Sequence, residues 1–437
     1  MTRPARGWRR GFAVWVVLCA LTAAGLLATR PWVRVGLRFS NALALEELGG
    51  VGYVCFDIAD VVRGRWWNAQ LGSRDPAPYR DFLRQLAAAR APASAAAGAP
   101  PRRKHVVFVQ MESVDGLVLR ARHEGRPLMP FLEKLAREQV WFVNTLDNTA
   151  GGRTTDAELL VLTSLVPLRR APAYVSQPLD RVPSLPRVLH AAGYDTWSMH
   201  GYTGSFWRRA AAHRALGFER SFFRDELDAS DLLGWGVSDA SVLLQAARRL
   251  AAAERPTFAH VILLTSHFPC TYVRERRGLP AKGFVDDYVH SVRYVDESIA
   301  GFFAALKTAG ILDDCIVAVF GDHDSSCEPL LRRRLAQVRA QPLEDSVPLV
   351  IHGLSAAPRR IEEVAGLQDL PVTVLEELGL PVPPTFTGNS LGRNGRTVSA
   401  LHGEVCSADG RFTRGMGPVD SEVLTTLALR YPERLSP

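Results

Sequence analysis

The chain has 437 residues, enough for one large α/β domain with appendages or for two ordinary domains. Its 47% hydrophobic and 22% charged residues are those of a globular protein and exclude disordered and collagen-like classes. Seven of the 52 basic residues precede the first acidic residue, Glu46, so the remainder, with 45 basic and 45 acidic residues, is neutral. The net charge of +7 therefore indicates a membrane partner and no nucleic acid.

The first predicted element is an apolar segment, residues 12–29, which contains no charged residue. It is just long enough to cross a bilayer and follows a positively charged N-terminus. A cleaved signal peptide is the alternative, but the run is longer than a usual signal core, which favours a retained anchor. The flanking arginines predict a single-pass protein of the inner (cytoplasmic) membrane whose globular domain faces the periplasm or the outside.

Composition divides the chain into three regions. Residues 1–35 are predicted to form an N-terminal tip and transmembrane anchor, and residues 36–104 a connector ending in the Ala/Pro-rich linker Leu86–Lys104. Residues 105–437 are predicted to form the globular domain. The six cysteines contain no CxxC pair, which excludes a zinc ribbon and a thioredoxin motif and leaves disulfide pairing open.

Short apolar strands alternate with amphipathic helices from residue 105 onward. The strands are rich in β-branched residues, as expected for a sheet covered on both faces: His105–Gln110, Asp195–Met199, Phe258–Leu264, Ile316–Phe320 and Pro348–Ile351. The clearest helix is Tyr288–Leu306, where apolar residues recur at three- and four-residue steps. The alternation predicts an α/β fold with a central, mostly parallel sheet and helices on both faces.

Polar side chains follow four of these strands: Glu112, His200, His267 and the pair Asp322–His323. Because ligands of open α/β sheets bind at the carboxyl ends of strands, these groups are expected to converge on one crevice. Glu112, Asp322 and His323 are two carboxylates and an imidazole, a set that suits Mn²⁺, Mg²⁺ or Zn²⁺. Each residue alone has an ordinary structural explanation, so the metal hypothesis depends on their joint placement.

The segment 148–162, NTAGGRTTDAELLVL, predicts the start of a helix. A glycine pair precedes Thr154 and Thr155, and an acidic and then apolar run follows, which is the pattern of a helix capped by a hydroxyl residue. Such a hydroxyl lies at the positive end of the helix dipole, and contact with a divalent cation would ease the loss of its proton. On its own the motif indicates only a capped helix.

Two further stretches carry groups that suit a phosphate ester. The loop HGYTGSFWRR after His200 contains Trp207 and Arg209, an indole that can shield a ligand and a guanidinium fork that fits phosphate. An exposed basic helix is the structural alternative. His267, between an apolar strand and a proline, is placed to donate a proton to a leaving oxygen.

Six motifs together resemble the lipoteichoic acid synthase and phosphoglycerol transferase family, a sulfatase-like branch of the alkaline phosphatase superfamily. They are MES at 111–113, GGRTTDAE at 151–158, HGYTGSFWRR at 200–209, TSHFP at 265–269, DYVHSVRYVDESI at 287–299 and GDHD at 321–324. The resemblance covers roughly residues 40–392 and is more specific for the fold and reaction than for the substrate.

The resemblance implies a role for each matching residue. The nucleophile is Thr154, and one divalent metal, Mn²⁺ in preference to Mg²⁺ or Zn²⁺, is bound by Glu112, Thr154, Asp322 and His323. Substrate is bound by Arg153, His200, Tyr202, Trp207, Arg209 and His267, of which His267 is also catalytic. In this mechanism Thr154 attacks the phosphodiester of an anionic phospholipid, the lipid alcohol leaves, and a hydroxyl of a glycan or glycolipid resolves a phospho-threonine.

The sequence departs from the family pattern at three points. Arg153 replaces the usual lysine, and Tyr202 replaces the Asp or Asn that is usual in glycerol-handling enzymes. Only one membrane helix is predicted, where the family's synthases have several. The prediction is a phosphoglycerol transferase, with phosphoethanolamine transfer, phosphodiester hydrolysis or an inactive sensor domain as alternatives. A formylglycine sulfatase is disfavoured because no C-x-P-x-R motif occurs.

Overall fold

The computed structural model describes ten parts of the chain, which together contain the fold discussed below. They are residues 66, 69–94, 104–168, 172–325, 328–335, 346–391, 398–399, 404–406, 412–414 and 420–435. The chain divides into two compact units, Met1–Arg74 and Asp75–Pro437. All elements named below belong to the second unit.

An eight-stranded sheet forms the centre of this unit. Its strands are β1 His105–Met111, β2 Val140–Leu146, β3 Asp195–His200, β4 Arg220–Phe222, β5 Thr257–Ile262, β6 Cys315–Gly321, β7 Ser346–His352 and β8 Arg359–Gly366. Their order is β8-β2-β7-β6-β1-β5-β3-β4. Strand β7 runs antiparallel to β6 and β2, and all other neighbours are parallel. The predicted mostly parallel α/β fold is therefore confirmed.

The helices of the described ranges are α1 Ala77–Ser94, α2 Pro130–Glu138, α3 Thr154–Thr163, α4 Ala173–Ser176, α5 Leu185–Ala191, α6 Arg209–Ala215, α7 Asp239–Ala251, α8 Tyr272–Arg276, α9 Phe284–Thr308, α10 Glu328–Arg334, α11 Leu370–Glu377 and α12 Ser421–Arg430. Helix α9 extends the predicted helix 288–306 at both ends. The five predicted strands are all present, with bounds that differ by one or two residues. Strands β2, β4 and β8 were missed because their apolar pattern is interrupted by polar residues.

Both faces of the sheet are covered. Val107 and Val109 of β1 belong to a buried cluster that includes side chains of α2, α7 and α9. On the other face Phe108 is fully buried and meets Phe258 and Phe320 edge-on, at centroid distances of 5.2 and 6.0 Å. Helix α3 begins on this second face, where the side chain of Gln110 at the end of β1 donates to the carbonyl of Thr154 (3.4 Å). The N-terminus of α3 therefore lies at the carboxyl end of β1.

Two predictions concern the chain before β1. Helix α1 includes residues 86–94 of the predicted linker, because an alanine-rich run is a strong helix former. The predicted transmembrane segment 12–29 lies outside the described residues. None of the helices within the described ranges is long and apolar enough to cross a bilayer. The thiols of Cys270 and Cys315 are buried and donate to the carbonyls of Ser266 and Ile311, each at 3.2 Å.

Candidate active site

Three predicted metal ligands meet at the centre of the sheet. Glu112 directly follows β1 and Asp322 directly follows β6, and these parallel strands pair with Met111 opposite Gly321. The register therefore places the two carboxylates side by side. One ligand atom each of Glu112, Asp322 and His323 lies within 4.8 Å of the others, and all three residues are buried.

The chemistry of Asp322 fits a bound divalent cation. Its Oδ1 accepts the backbone N–H groups of Ser113 (2.8 Å) and His323 (2.7 Å), whereas Oδ2 is buried without a hydrogen-bond partner. Burial and the nearby charge of Glu112 raise the pKa of Asp322 to about 7. A buried carboxylate that resists ionisation and keeps an unpaired oxygen is stabilised by a cation.

His323 is oriented by its second ring nitrogen. Nδ1 lies 2.7 Å from the carbonyl oxygen of Asp324, so Nδ1 carries the proton and donates it, because a carbonyl only accepts. Nε2 then faces the carboxylates, 3.4 Å from Glu112 Oε1. Burial alone would lower the pKa of His323, but Asp322 and Glu112 raise it to about 9. This backbone contact is the kind that orients histidine ligands in metal sites.

Arg153, predicted to bind substrate, supports this same arrangement. One of its terminal nitrogens donates to the Asp324 carbonyl (2.6 Å) and to Asp324 Oδ1 (2.7 Å). The guanidinium thereby holds the residue that orients His323. These two contacts of Arg153 are therefore with Asp324, the residue that orients the predicted metal ligand His323.

Thr154 is the first residue of α3 and lies against the carboxylate cluster. Its Oγ1 donates to Glu112 Oε2 at 3.1 Å, and the residue is 9% exposed. Thr155 Oγ1 donates instead to the carbonyl of Gly152 (3.0 Å). Thr154, and not Thr155, therefore presents its hydroxyl to Glu112, one of the three predicted metal ligands.

The predicted hydroxyl cap of α3 is wrong. The N-cap residue is Arg153, with φ of 44° and no side-chain cap. The carboxylate of Asp156, in the first turn of the helix, reaches back to the turn before it, where its Oδ2 accepts the N–H groups of Ala150 (3.0 Å) and Gly152 (2.8 Å). A Cβ atom at residue 152 would lie 2.2 Å from Asp156 Oδ1, so this turn requires glycine. The Thr154 hydroxyl is thus left available.

Arg209 is buried, in contrast to the open phosphate fork that its sequence predicts. It is 1% exposed, and its Nε donates to Glu158 Oε1 (2.9 Å), while a terminal nitrogen lies 2.9 Å from the same oxygen. The other terminal nitrogen, NH1, is buried without a hydrogen-bond partner. Although burial alone would lower the pKa of Arg209, Glu158 raises it, so the guanidinium is charged. One donor remains for a ligand.

His200 ends β3 and is 3% exposed. Nδ1 donates to the carbonyl of Ile262 at 3.0 Å, which makes Nε2 the acceptor of the neutral ring. Burial and the charge of Arg209 lower the pKa of His200 to about 3, and Glu112 is near enough to oppose this shift. The ring is therefore neutral at physiological pH and suits a hydroxyl donor.

Aromatic rings form the other side of the site. Tyr202 contacts Phe206 (centroids 5.6 Å apart) and Trp235 (5.8 Å), and Trp207, with φ of 55°, contacts Phe206 (5.8 Å). Trp235 in turn lies 4.3 Å from His267. We call His200, Tyr202, Trp207, Trp235 and His267 the headgroup side, and Glu112, Thr154, Asp322 and His323 the metal side.

His267 lies beyond β5 in the turn 264–270, next to Ser266, whose hydroxyl donates to the backbone carbonyl of Glu112 (2.5 Å). Nδ1 of His267 donates to the carbonyl of Phe268 (2.7 Å). The neutral ring therefore offers Nε2 as a proton acceptor. The predicted donor role requires the imidazolium form, so one histidine can serve as acid and then as base.

Three residues of the site escaped prediction. Glu158 binds Arg209 from within the GGRTTDAE motif, where its position one turn after Thr154 was the available signal. Trp235 comes from a short hairpin, Leu232–Leu233 with Gly236–Val237, that carries no motif. Asp239 accepts the N–H groups of Leu264 (2.8 Å) and Thr265 (3.0 Å) and holds the loop of His267. Contacts between distant segments cannot be read from local sequence.

Comparison with known proteins gives consistent results. The Sulfatase family model matches residues 104–380. The chain is 26% identical over 357 residues to lipoteichoic acid synthase 2 of Bacillus subtilis (strain 168), a match covering 78% of this chain and 54% of that protein. The chain spans about half the length of the curated relatives it matches.

Solved structures share the fold. The lipoteichoic acid synthase LtaP from Listeria monocytogenes superposes with a TM-score of 0.61 at 23% identity, covering 76% of this chain and 91% of that one. The Streptococcus pyogenes phosphoglycerol transferase GacH, in complex with sn-glycerol-1-phosphate, gives 0.52 at 15% identity, covering 70% and 84%. These similarities agree with the resemblance carried by the six motifs.

Proposed function

The chain belongs to the sulfatase family, and from this premise we propose that it is a metal-dependent phosphotransferase that moves phosphoglycerol from phosphatidylglycerol to a glycan or glycolipid. A phospho-threonine at Thr154 is the proposed intermediate. Residues 12–29 anchor the chain in the cytoplasmic membrane, with the catalytic domain outside. The similarity to lipoteichoic acid synthases and to a phosphoglycerol transferase supports this choice of group.

The position of the Thr154 hydroxyl carries the proposal. Thr154 Oγ1 lies 3.1 Å from Glu112 Oε2, beside Asp322 and His323 and at the N-terminus of α3. Glu112, Asp322 and His323 would hold a divalent cation, which would act as a Lewis acid that eases loss of the threonine proton and offsets charge on the phosphoryl oxygens. The helix N-terminus favours the same anions.

The protein's own groups account for the two transfer steps. The Thr154 hydroxyl releases its proton to solvent, its oxygen forms a bond to phosphorus while the bond from phosphorus to the diacylglycerol oxygen breaks, and His267 as imidazolium gives that oxygen its proton. The neutral His267 then takes the proton of the acceptor hydroxyl. The acceptor oxygen bonds to phosphorus, and the Thr154 oxygen leaves and takes a proton from solvent.

Two buried groups suit the transferred phosphoglycerol. NH1 of Arg209 is a donor without a partner, which matches a phosphoryl oxygen. Neutral His200 is an acceptor, which matches a glycerol hydroxyl. Together they provide one donor for the anionic end and one acceptor for the alcohol end.

Phosphoethanolamine transfer on the same site is the second candidate. Tyr202 stands where the glycerol-handling enzymes usually carry Asp or Asn, and it packs against Phe206 and Trp235. This aromatic surrounding lacks the carboxylate or amide that would pair with two glycerol hydroxyls. This aromatic surrounding of Tyr202 is the observation that favours a headgroup other than phosphoglycerol.

A labelling experiment tests both candidates. Full-length protein with Mn²⁺ is incubated with headgroup-labelled phosphatidylglycerol or phosphatidylethanolamine, and the peptide containing Thr154 is examined by mass spectrometry. We expect a glycerophosphoryl adduct with phosphatidylglycerol, absent from Thr154→Ala and retained in Thr155→Ala. A phosphoethanolamine adduct instead would support the second candidate. No adduct with either lipid would contradict both.

A further inference from the structure

We infer that Glu158 is a positioning residue that sets Arg209 against the Thr154 nucleophile, an inference that rests on the proposed function. Glu158 is fully buried on the second turn of α3. Its two carboxylate oxygens contact Arg209 and His213, both on α6. No step of the mechanism above uses Glu158 or His213.

Helical spacing makes this carboxylate a link between two functional groups. Thr154 and Glu158 are four residues apart on α3, so they lie on the same face, one turn from each other. Arg209 and His213 have the same spacing on α6. Glu158 accepts from Arg209 Nε at 2.9 Å and from His213 Nε2 at 2.6 Å. One side chain thereby fixes α6 relative to the helix that begins with the nucleophile.

His213 fixes the position of the Glu158 carboxylate. Its Nδ1 and the Ser198 hydroxyl of β3 are hydrogen-bonded at 2.7 Å, and its ring lies 6.3 Å from that of His260 on β5. Burial lowers the pKa of His213, which keeps the ring neutral. Glu158 therefore faces one full positive charge, on Arg209, and one neutral donor.

These contacts use some hydrogen-bond donors of Arg209 and leave others for a ligand. Its Nε and one terminal nitrogen are engaged by Glu158, and NH1 is the buried donor without a partner. Arg209 is thus neutralised by Glu158 and acts on phosphate as an aimed donor with little net charge. Although burial alone would raise the pKa of Glu158, Arg209 and His213 hold it below its usual range, so the pair stays ionised.

The inference predicts a split between kcat and KM. In Glu158→Gln the geometry of Arg209 loosens while its charge is no longer balanced. We expect kcat for release of diacylglycerol from phosphatidylglycerol to fall by about 10-fold or more, because a misaligned donor acts in the transition state. KM should not rise, because the unbalanced guanidinium still attracts the anionic substrate.

A double-mutant cycle separates positioning from a merely structural role. Full-length Glu158→Gln, Arg209→Lys and the double variant are assayed with Mn²⁺ for diacylglycerol release and, by calorimetry, for binding of sn-glycerol 1-phosphate. If Glu158 acts through Arg209, the effect of Arg209→Lys on either readout should shrink below about 2-fold in the Glu158→Gln background. Equal effects of Arg209→Lys in both backgrounds would overturn the inference.

Asp296→Asn is the matched control. This buried carboxylate on α9 accepts the N–H groups of Phe131 and Leu132, on the face of the sheet away from α3. Its loss should lower the unfolding temperature and leave kcat per folded enzyme unchanged.

Where Glu158→Gln does not fold, Glu158→Asp is the second variant, because it retains the charge on a shorter side chain. An undiminished kcat in Glu158→Asp would contradict positioning. A wild-type chain that releases no diacylglycerol refutes the proposed function, and the calorimetric cycle then decides the inference alone.

Discussion

The metal side and the headgroup side of the site are built differently. On the metal side, Glu112, Asp322 and His323 follow directly from β1 and β6 and are at most 4% exposed. On the headgroup side, Tyr202, Trp207, Trp235 and His267 come from loops and are partly exposed, beside Phe206 and Phe268, which are 42% and 65% exposed.

We expect the strand-end residues to determine the reaction and the loop residues to determine which substrate is bound. Groups on neighbouring parallel strands have a fixed spacing, which the chemistry of a metal and a nucleophile requires. Loop residues tolerate substitution, and Tyr202 and Trp235 are found there. Mutations of the metal-side residues and of His267, the proposed acid and base, should therefore abolish turnover of every substrate, whereas those of Tyr202 and Trp235 should change preference.

The largest effect is expected for Thr154→Ala. Removal of the nucleophilic oxygen should lower kcat/KM by at least about 10³-fold, since no other described hydroxyl contacts Glu112 from α3. The change in kcat/KM is measured from the rate at which diacylglycerol is released from phosphatidylglycerol. Thr155→Ala, whose hydroxyl bonds only to the carbonyl of Gly152, is the control and should stay within a few-fold of wild type. Equal losses of kcat/KM in Thr154→Ala and Thr155→Ala would contradict the assignment of Thr154 as the nucleophile.

A second large effect concerns the metal. Asp322→Asn keeps the shape of the side chain but removes the charge that the unpaired Oδ2 offers to a cation. We expect Mn²⁺ affinity to fall on the order of 100-fold, with loss of the thermal stabilisation that bound metal confers. Metal content after dialysis and the unfolding temperature with and without Mn²⁺ are the measurements. Unchanged Mn²⁺ binding would remove these residues from the metal site.

On the headgroup side the expected effect is a change of preference. Tyr202→Asp introduces the acid that is usual in glycerol-handling relatives. The new carboxylate can accept hydrogen bonds from the hydroxyls of glycerol. The ratio of turnover with phosphatidylglycerol to turnover with phosphatidylethanolamine should therefore rise about 10-fold. Tyr202→Phe is the control and should leave the ratio near that of wild type. A uniform loss with both lipids would place Tyr202 in the reaction itself.

The smallest effect is one of pH on stability. Burial raises the pKa of Asp239, which holds the His267 loop, from 3.8 to about 6. The folded chain therefore binds an extra proton between about pH 4 and 6, and the free energy of unfolding falls as pH rises through that window. Urea unfolding of metal-free protein at pH 4–7 should show a shallower decline for Asp239→Asn. An identical pH dependence in both proteins would contradict the assignment.

Prediction from sequence worked best for the metal side. Glu112, Asp322 and His323 each follow an apolar strand, so the order of strand and polar residue was enough to bring them together. It worked least for Arg209 and the cap of α3. The motif HGYTGSFWRR carries no sign that Glu158, 51 residues earlier, would engage the guanidinium.

The sequence by itself determined the α/β alternation and the strand-end placement of Glu112, Asp322 and His323, and its motif is the basis on which Thr154 is proposed as the nucleophile. Periodicity and strand-end position are local properties that survive without knowledge of the fold. Only the tertiary structure decided that Arg153 supports His323 and that Glu158 joins α3 to α6. Each of these is a contact of a charged side chain with a partner that the fold places beside it, and no local pattern specifies such a partner.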